Sequence, residues 1–251
     1  VVLTTWGNAY AHTGSTGDGY AWARDLWHTV TPLWPSLNSF LTAEEWLHGC
    51  SGISFSDAQL VSAKNSAVRI AWPVLLTHFG LSGPAVFAFS SHIPYEKVTK
   101  EEPLLVFFQP DAMRDFQKWL QQLTDRAVTT PKKELGNLLR QWSVRKFIDT
   151  LLVKYAYDPH MHIGNMSKQQ RQELASLLGN GIPMTLIQRR PGDEFVTAGW
   201  VSLEEVEAKS GQSRLIPWLY FAGEILDVDG YTGGYNLTSS RAMGRLVWVS
   251  I

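Results

Sequence analysis

The segment that most constrains the fold lies near the C-terminus, where Tyr220-Phe221-Ala222-Gly223-Glu224 leads through Asp227, Asp229 and Gly230 to Gly233-Gly234-Tyr235-Asn236-Leu237. An apolar strand runs there into a glycine-rich turn and a helical pattern follows, which places the end of the chain in an α/β unit. The arrangement suits a nucleotide cofactor. Its carboxylates match ribose or ribityl hydroxyls, and glycines at the mouth of a helix let backbone N–H groups and the positive helix end approach an electron-rich ligand. Strand, turn and helix of this kind also occur as plain scaffold.

The 251 residues suffice for one large domain or two smaller ones. A formal charge of −1 gives no electrostatic case for nucleic acid or an anionic membrane, so a small molecule is the expected partner. Cys50 stands alone, which excludes an internal disulfide framework and fits a reducing, cytoplasmic setting. No apolar run is long enough to span a bilayer. The chain opens Val1-Val2-Leu3-Thr4-Thr5, which reads as a buried strand without an initiator methionine, and is therefore expected to be a fragment.

After a loop rich in glycine and aspartate, a helix is expected over about 20–26, capped by Asp18. Residues 28–84 look β-rich, with short strands at 53–55, 68–70 and 73–76 that suggest a small barrel or sandwich. Gly83-Pro84 opens a helix, and 104–108 reads as a strand. From Asp111 to about Gly179 the texture is helical. Met113, Phe116, Trp119, Leu120 and Leu123 recur at helical spacing, and Leu138, Leu139, Trp142, Phe147, Ile148 and Leu151 continue the stripe as core. Strand character returns at 184–187 and 195–197. The chain thus reads as α/β at both ends around a β-plus-helix insertion, so its end segments are expected to meet in space.

Several constellations carry less. The Gly14–Gly19 loop has the spacing G-x-x-G-x-G, not the dinucleotide fingerprint, and fits a plain turn equally well. No G-x-x-x-x-G-K-S/T occurs, which argues against a nucleotide triphosphatase. Gly80-Leu81-Ser82-Gly83-Pro84 lacks the final glycine of a nucleophile elbow. His78 could donate a proton beside a bound ring, or be a satisfied loop histidine. Asp158, His160 and His162 lack a convincing third-ligand pattern, so no metal is expected. Lys132, Lys133, Arg140, Arg145 and Lys146 read as a solvated helical face.

Thr13 to Tyr20, Leu76 to Pro84, Val196-Thr197-Ala198-Gly199 and Gly223 to Leu237 together resemble the BaiN-like NAD(P)/FAD-dependent oxidoreductases, the aminoacetone oxidase-like flavoproteins. The resemblance implies an FAD/NAD(P)-binding Rossmann-like domain, here as residues 1–33 and 191–251. It is interrupted by an inserted β-barrel domain at 34–190 that carries a helical subdomain at about 111–179. It implies FAD as cofactor, NAD(P)H as reductant and hydride transfer to an organic substrate; the alternative is a non-catalytic flavin- or nucleotide-binding module, or an inactive fragment lacking the N-terminal dinucleotide fingerprint. Thr5, Gly7, Thr13, Gly14, Gly17, Asp18, Gly223, Glu224, Gly233, Gly234, Tyr235, Asn236 and Leu237 are the implied cofactor residues. Glu224 would face the ribityl or pyrophosphate region, and Gly233 to Asn236 would bring N–H groups to the isoalloxazine. His78 and Tyr235 are the catalytic candidates.

Two departures stand out. The family's N-terminal strand, G-x-G-x-x-G loop and first helix are absent from residues 1–251, so weak or no FAD binding is expected of this chain alone. Trp6, Trp27, Trp72, Trp200 and Trp218, and Trp248 with them, fall where the family pattern favours glycine. One exchange repeated so often points to a UGA codon that the source reads as glycine, rendered here as tryptophan; the alternative is true tryptophans in a divergent protein.

Overall fold

A computed structural model describes residues 1–110, 114–192 and 194–251; Asp111 and Met113, at the start of the expected helical stripe, lie outside the described residues. In chain order the elements are β1 (Val2–Leu3), α1 (Asp18–Asp25), β2 (Trp34–Ser36), β3 (Phe40–Thr42), β4 (Ser54–Phe55), β5 (Gln59–Ser62), β6 (Arg69–Ala71), β7 (Val74–Leu76) and β8 (Gly80–Ser82). There follow α2 (Pro84–His92), β9 (Leu104–Gln109), α3 (Phe116–Thr129), α4 (Leu135–Leu139), α5 (Arg145–Lys154), α6 (Lys168–Asn180), β10 (Ile182–Arg189), β11 (Val196–Ala198), β12 (Tyr220–Phe221) and α7 (Gly233–Ser250). They group into two units: Val1–Ser39, Phe87–Glu96 and Arg190–Ile251 form the first, and Phe40–Val86 and Lys97–Arg189 the second.

In the first unit the apolar chain ends pair in parallel, Val2 opposite Tyr220 and Leu3 opposite Phe221. Phe221 joins Ala23, Val201, Leu219, Ile225 and Leu226 in one buried cluster, and α7 packs on Tyr220 and Ala222 through Met243 and Val247. The opening strand forms, yet it is not buried as expected. Val1 is 84% and Val2 38% exposed, because β12 is the one strand that pairs with β1 among the described residues. Helix α1 begins two residues earlier than expected, so Asp18 is its first residue and not its cap. Gly17, at φ 73°, turns the chain into the helix, and Asp18 Oδ2 accepts a hydrogen bond from Thr16 Oγ1 at 2.8 Å. A carboxylate in the first turn still favours the helix through its dipole.

The second unit holds an antiparallel sheet of eight strands in the order β4-β7-β8-β3-β10-β9-β5-β6. Its outer strands, β4 and β6, share no ladder, so the described sheet is open and not the closed barrel that was expected. Both are short, and β6 alternates exposed and half-buried residues along the edge. Gly80 sits at φ 149° where a side chain would strike Phe40 O at 2.4 Å, which is why glycine starts β8. Phe55, Phe108 and Phe147 meet at centroid distances of 5.0–6.3 Å and join α5 to the sheet. Asp115 caps α3 by accepting from the N–H groups of Gln117 and Lys118, and Ser167 with Gln170 forms a capping box on α6. The expected stripe is core at Trp119, Leu123, Leu138, Leu139, Phe147, Ile148 and Leu151. Trp142 departs from it: it lies at the rim, 39% exposed, edge-on to Trp119.

The tryptophans divide by backbone and burial. Trp27 and Trp218 adopt φ 66° and 67°, and Trp27 is 85% exposed, so neither conformation nor packing asks for an indole. Left-handed geometry costs a residue with a Cβ about 1–2 kcal/mol, which glycine avoids. Trp200 is different. It is fully buried against Tyr20, with its Nε1 lacking an acceptor. Trp27→Gly and Trp218→Gly are each expected to stabilise the protein by up to about 1 kcal/mol after the entropy cost of glycine, whereas Trp200→Gly should cost about 3–5 kcal/mol through the void it leaves. Denaturant unfolding of the three variants checks this, and stabilisation by Trp200→Gly would contradict it.

Candidate cofactor site

The parallel pair β1–β12 ends on one side in two loops, Thr4–Gly7 after β1 and Ala222–Glu224 after β12. Ligands in α/β folds bind outside the carboxyl ends of such strands. There the first unit holds a cavity of ≈ 590 Å³ whose walls include Thr4, Trp6, Thr13, Ser15, Gly223, Glu224, Val228, Gly233, Asn236 and Leu237. A second hollow of ≈ 330 Å³ shares Thr4, Trp6 and Ser15 with it and continues along Thr5, Gly14, Thr16, Gly17 and Asp18. The larger one is of the size and apolar character of a cofactor site.

Glu224 ties the walls together. Its carboxylate accepts the N–H of Thr197 at 3.3 Å and that of Gly7, while burial pushes its pKa up. Thr197 Oγ1 in turn accepts Asn8 N–H at 2.8 Å, and Ser15 Oγ donates to Gly7 O. Gly7 has no room for a side chain, since a Cβ would meet the Trp200 ring and Thr197 Oγ1 at 2.6 Å. Burial and the neighbouring Glu224 carboxylate also raise the Tyr20 phenol.

The turn before α7 is held at both ends. Asn236 Oδ1 accepts Gly230 N–H at 2.8 Å, and its Nδ2 donates to Gly230 O and Thr232 O, each at 3.0 Å. Tyr231 stacks on His92 at 4.7 Å and 12°. The α7 N-terminus itself receives no side-chain cap from Thr232. A Cβ on Gly233 would meet nothing within 4 Å and one on Gly234 only Thr232 Oγ1 at 3.6 Å, so the backbone is open on the side-chain side of both. Further down the same face, Leu237, Ser240 and Gly244 also line the cavity. The opposite wall is aromatic: Phe195 lies 6.0 Å from Tyr10 and 5.0 Å from Phe87.

Beside this turn, Asp229 accepts Ser36 Oγ–H at 2.8 Å, and burial holds its carboxyl above the ordinary range. Asp227 is raised by burial and by Asp229, against the pull of Gly199 N–H.

Among the described residues no lysine or arginine lines either hollow, so the walls offer a ligand backbone amides, hydroxyls and apolar side chains and no cationic side chain. A family model described as the HI0933-like protein Rossmann domain matches residues 1–247. The chain belongs to this family. It is the flavoprotein family that the sequence motifs resemble. Among individual relatives, the chain is 29% identical to a 3-dehydro-bile acid delta(4,6)-reductase of Clostridium scindens, over 98% of this chain and 60% of that protein. It is 27% identical to a ribosomal RNA dihydrouridine synthase of Escherichia coli and 28% to one of Haemophilus influenzae, each over 94% of this chain and 56% of the relative. The chain thus spans somewhat more than half the length of the curated relatives it matches.

Of the family-implied residues, Thr13, Gly223, Glu224, Gly233, Asn236 and Leu237 line the larger cavity, and Thr5, Gly14, Gly17 and Asp18 the smaller. Thr5 Oγ1 lies against Gly19, whose missing side chain makes the room. Gly7 is a packing glycine that lines neither hollow. Gly234 borders neither, and Tyr235 is 62% exposed. His78 belongs to the second unit, in the Thr77–Gly80 turn, edge-on to Phe79 at 5.1 Å. Asp158 closes a turn by accepting His160 N–H, and His160 faces Glu134 at 3.4 Å. Among the described residues no group of three or more His, Cys, Asp or Glu could hold a metal, and no helix is long and apolar enough to cross a membrane. Sequence reading missed Tyr10, Phe195, Ser240 and Gly244. The last two were available from the 233, 237, 240, 244 spacing of one helix face.

Asn236→Ala should release the Gly230 and Thr232 groups, lowering stability by about 1–3 kcal/mol and speeding hydrogen exchange at Gly230; unchanged exchange would contradict the clasp. A second expectation concerns pH. A carboxyl raised on folding binds more protons folded than unfolded, so its contribution is fully present below the unfolded pKa and lost as pH rises through the folded one. Asp229→Asn keeps an acceptor for Ser36 and is expected to stabilise the protein at about pH 7, the gain shrinking toward the unfolded aspartate value of about 4. Thermal unfolding of both proteins across that window measures it.

Proposed function

We propose that this chain is part of an FAD-dependent oxidoreductase in which NAD(P)H reduces the flavin and an organic substrate receives the hydride. The observation that carries the reading is the cavity at the carboxyl ends of β1 and β12, lined by Gly233, Asn236 and Leu237 at the start of the uncapped α7. When bound, FAD supplies two-electron hydride chemistry that no side chain can. The protein's part is to bind and orient it. The α7 amides and helix dipole would hold the electron-rich edge of the ring system and favour negative charge there. Trp6, Tyr10 and Phe195 offer an apolar wall that would keep water from the ring, and Glu224, which lines the cavity, joins the Thr4–Gly7 loop to β11 at Thr197. Asn236 serves as a positioning residue for the turn; of the two side chains that the sequence offers as proton donors, Tyr235 is exposed on α7 and His78 belongs to the second unit, and neither lines the cavity.

The printed activities of the relatives favour one substrate class. Two relatives are named a 3-dehydro-bile acid delta(4,6)-reductase and a ribosomal RNA dihydrouridine synthase, and a 3-oxo-4-ene ring and a uracil base share a ring carbon–carbon double bond conjugated with a carbonyl. We assign the same bond type to this chain's substrate, in a steroid-like ring or a uracil base. A flavin-binding module without turnover is the second reading, favoured by the placing of the two proton-donor candidates, neither of which lines the cavity among the described residues. The full-length protein is expected to purify yellow, and its visible flavin band to bleach anaerobically with NADH or NADPH and return on adding an enone or a uridine-containing RNA. A coloured protein that neither reductant bleaches would support the module instead.

A further inference from the structure

The chain's net charge of −1 conceals a segregation. Residues 114–180, which hold α3 to α6 of the second unit, carry eleven Lys and Arg against six Asp and Glu, while the rest of the chain carries eleven against seventeen. Several of the six carboxylates are already engaged: Asp149 pairs with Arg140 at 2.7 Å and Arg145 at 3.6 Å, Asp115 with Lys118 at 3.9 Å, and Glu134 and Glu173 accept from Asn137 and Gln169. Arg126, Lys132, Lys133, Lys146, Lys154 and Lys168 are left with no ion pair among the described residues, and all but half-buried Lys133 are exposed. The same segment holds an exposed aromatic: Trp142, between α4 and α5, is held edge-on to Trp119 at 5.6 Å and is 39% exposed.

We propose that the surface of helices α3 to α6 docks folded RNA. The inference rests on the reading above in its uracil form, since it says how a base within a polyanion would be brought to a flavin enzyme. Unpaired cations on α3, α5 and α6 and in the turn between α3 and α4 match a phosphate backbone, each contact releasing condensed counterions. A held, part-exposed indole offers a platform for an unstacked base. A bilayer surface is the weaker match, because these cations lie on several helices and a connecting turn and not along one amphipathic stripe.

The test uses full-length protein, a fluorescein-labelled RNA stem–loop with a uridine-rich loop, and phosphatidylserine vesicles. Wild type is expected to bind the RNA with an affinity that falls as salt rises, each phosphate contact adding roughly 0.7–0.9 to the log–log slope. The K132E/K146E/K154E variant should bind at least about tenfold more weakly with a shallower slope, while K100E/K209E, which removes exposed lysines elsewhere, should stay within about twofold of wild type. NAD(P)H bleaching of the flavin should be the same in all three, which shows that the variants are folded. RNA binding that is equal in the wild type and the triple variant overturns the docking surface, and so does binding to vesicles alone. Dihydrouridine formation, read by mass spectrometry, separates the two failures. Reduction of RNA by the triple variant at the wild-type rate leaves the uracil reading standing without this surface, whereas a wild type that reduces an enone steroid and neither binds nor reduces RNA removes both.

Discussion

The site depends on one pairing, that of β1 with β12. Tyr220 N–H donates to Val1 O and Ala222 N–H to Leu3 O, which brings Val1–Leu3 beside Tyr220–Ala222, and the chain leaves both strands on the same side. Everything that lines the cavity follows from this: Thr4 and Trp6 leave one strand, Gly223 and Glu224 the other, and α7 returns over Tyr220 and Ala222 through Val247. Glu224 then converts a juxtaposition of loops into a fixed wall, because a buried carboxylate must find donors and the ones at hand are the backbone amides of Gly7 and Thr197.

Electrostatics in the two units differ in kind. In the first, three carboxyls, Glu224, Asp227 and Asp229, are raised by burial and grouped around the glycine turn, with no cation lining the cavity. Such surroundings favour a ligand that brings hydroxyls and ring atoms over one that brings bare phosphate. In the second, cations of α3 to α6 outnumber their partners and face water. A whole-chain net charge averages the two regimes to near zero.

Much of this was legible before any coordinates. The glycine-rich approach to α7, the Pro84 start of α2, the strand at 104–109 and the helical stripe around Leu123, Leu138 and Ile148 all carry strong local signals. Where the reading failed, the deciding interaction was not local. Asp18 looks like a cap, but Gly17 can turn left-handed and takes the position before the helix. Sheet closure depends on whether two edge strands find each other, which the alternation within either strand does not record. Trp142 has core spacing, yet the turn between α4 and α5 carries it to the rim. Tyr10 and Phe195 stand at opposite ends of the sequence and become one wall only once the ends have met.

That meeting has a kinetic consequence. A contact between Val2 and Tyr220 closes a loop of more than two hundred residues, whereas the strands and helices of the second unit pair within 40–86 and 97–189. Loop-closure entropy delays such distant pairings and favours nearer ones. On a translating ribosome every strand of the eight-stranded sheet emerges before β12 does, so the second unit can be complete while residues 1–39 still wait for their partners. The cavity beside β1 and β12 then takes shape only after the second unit's strands have all emerged, and a ligand that fills it acts on that late pairing.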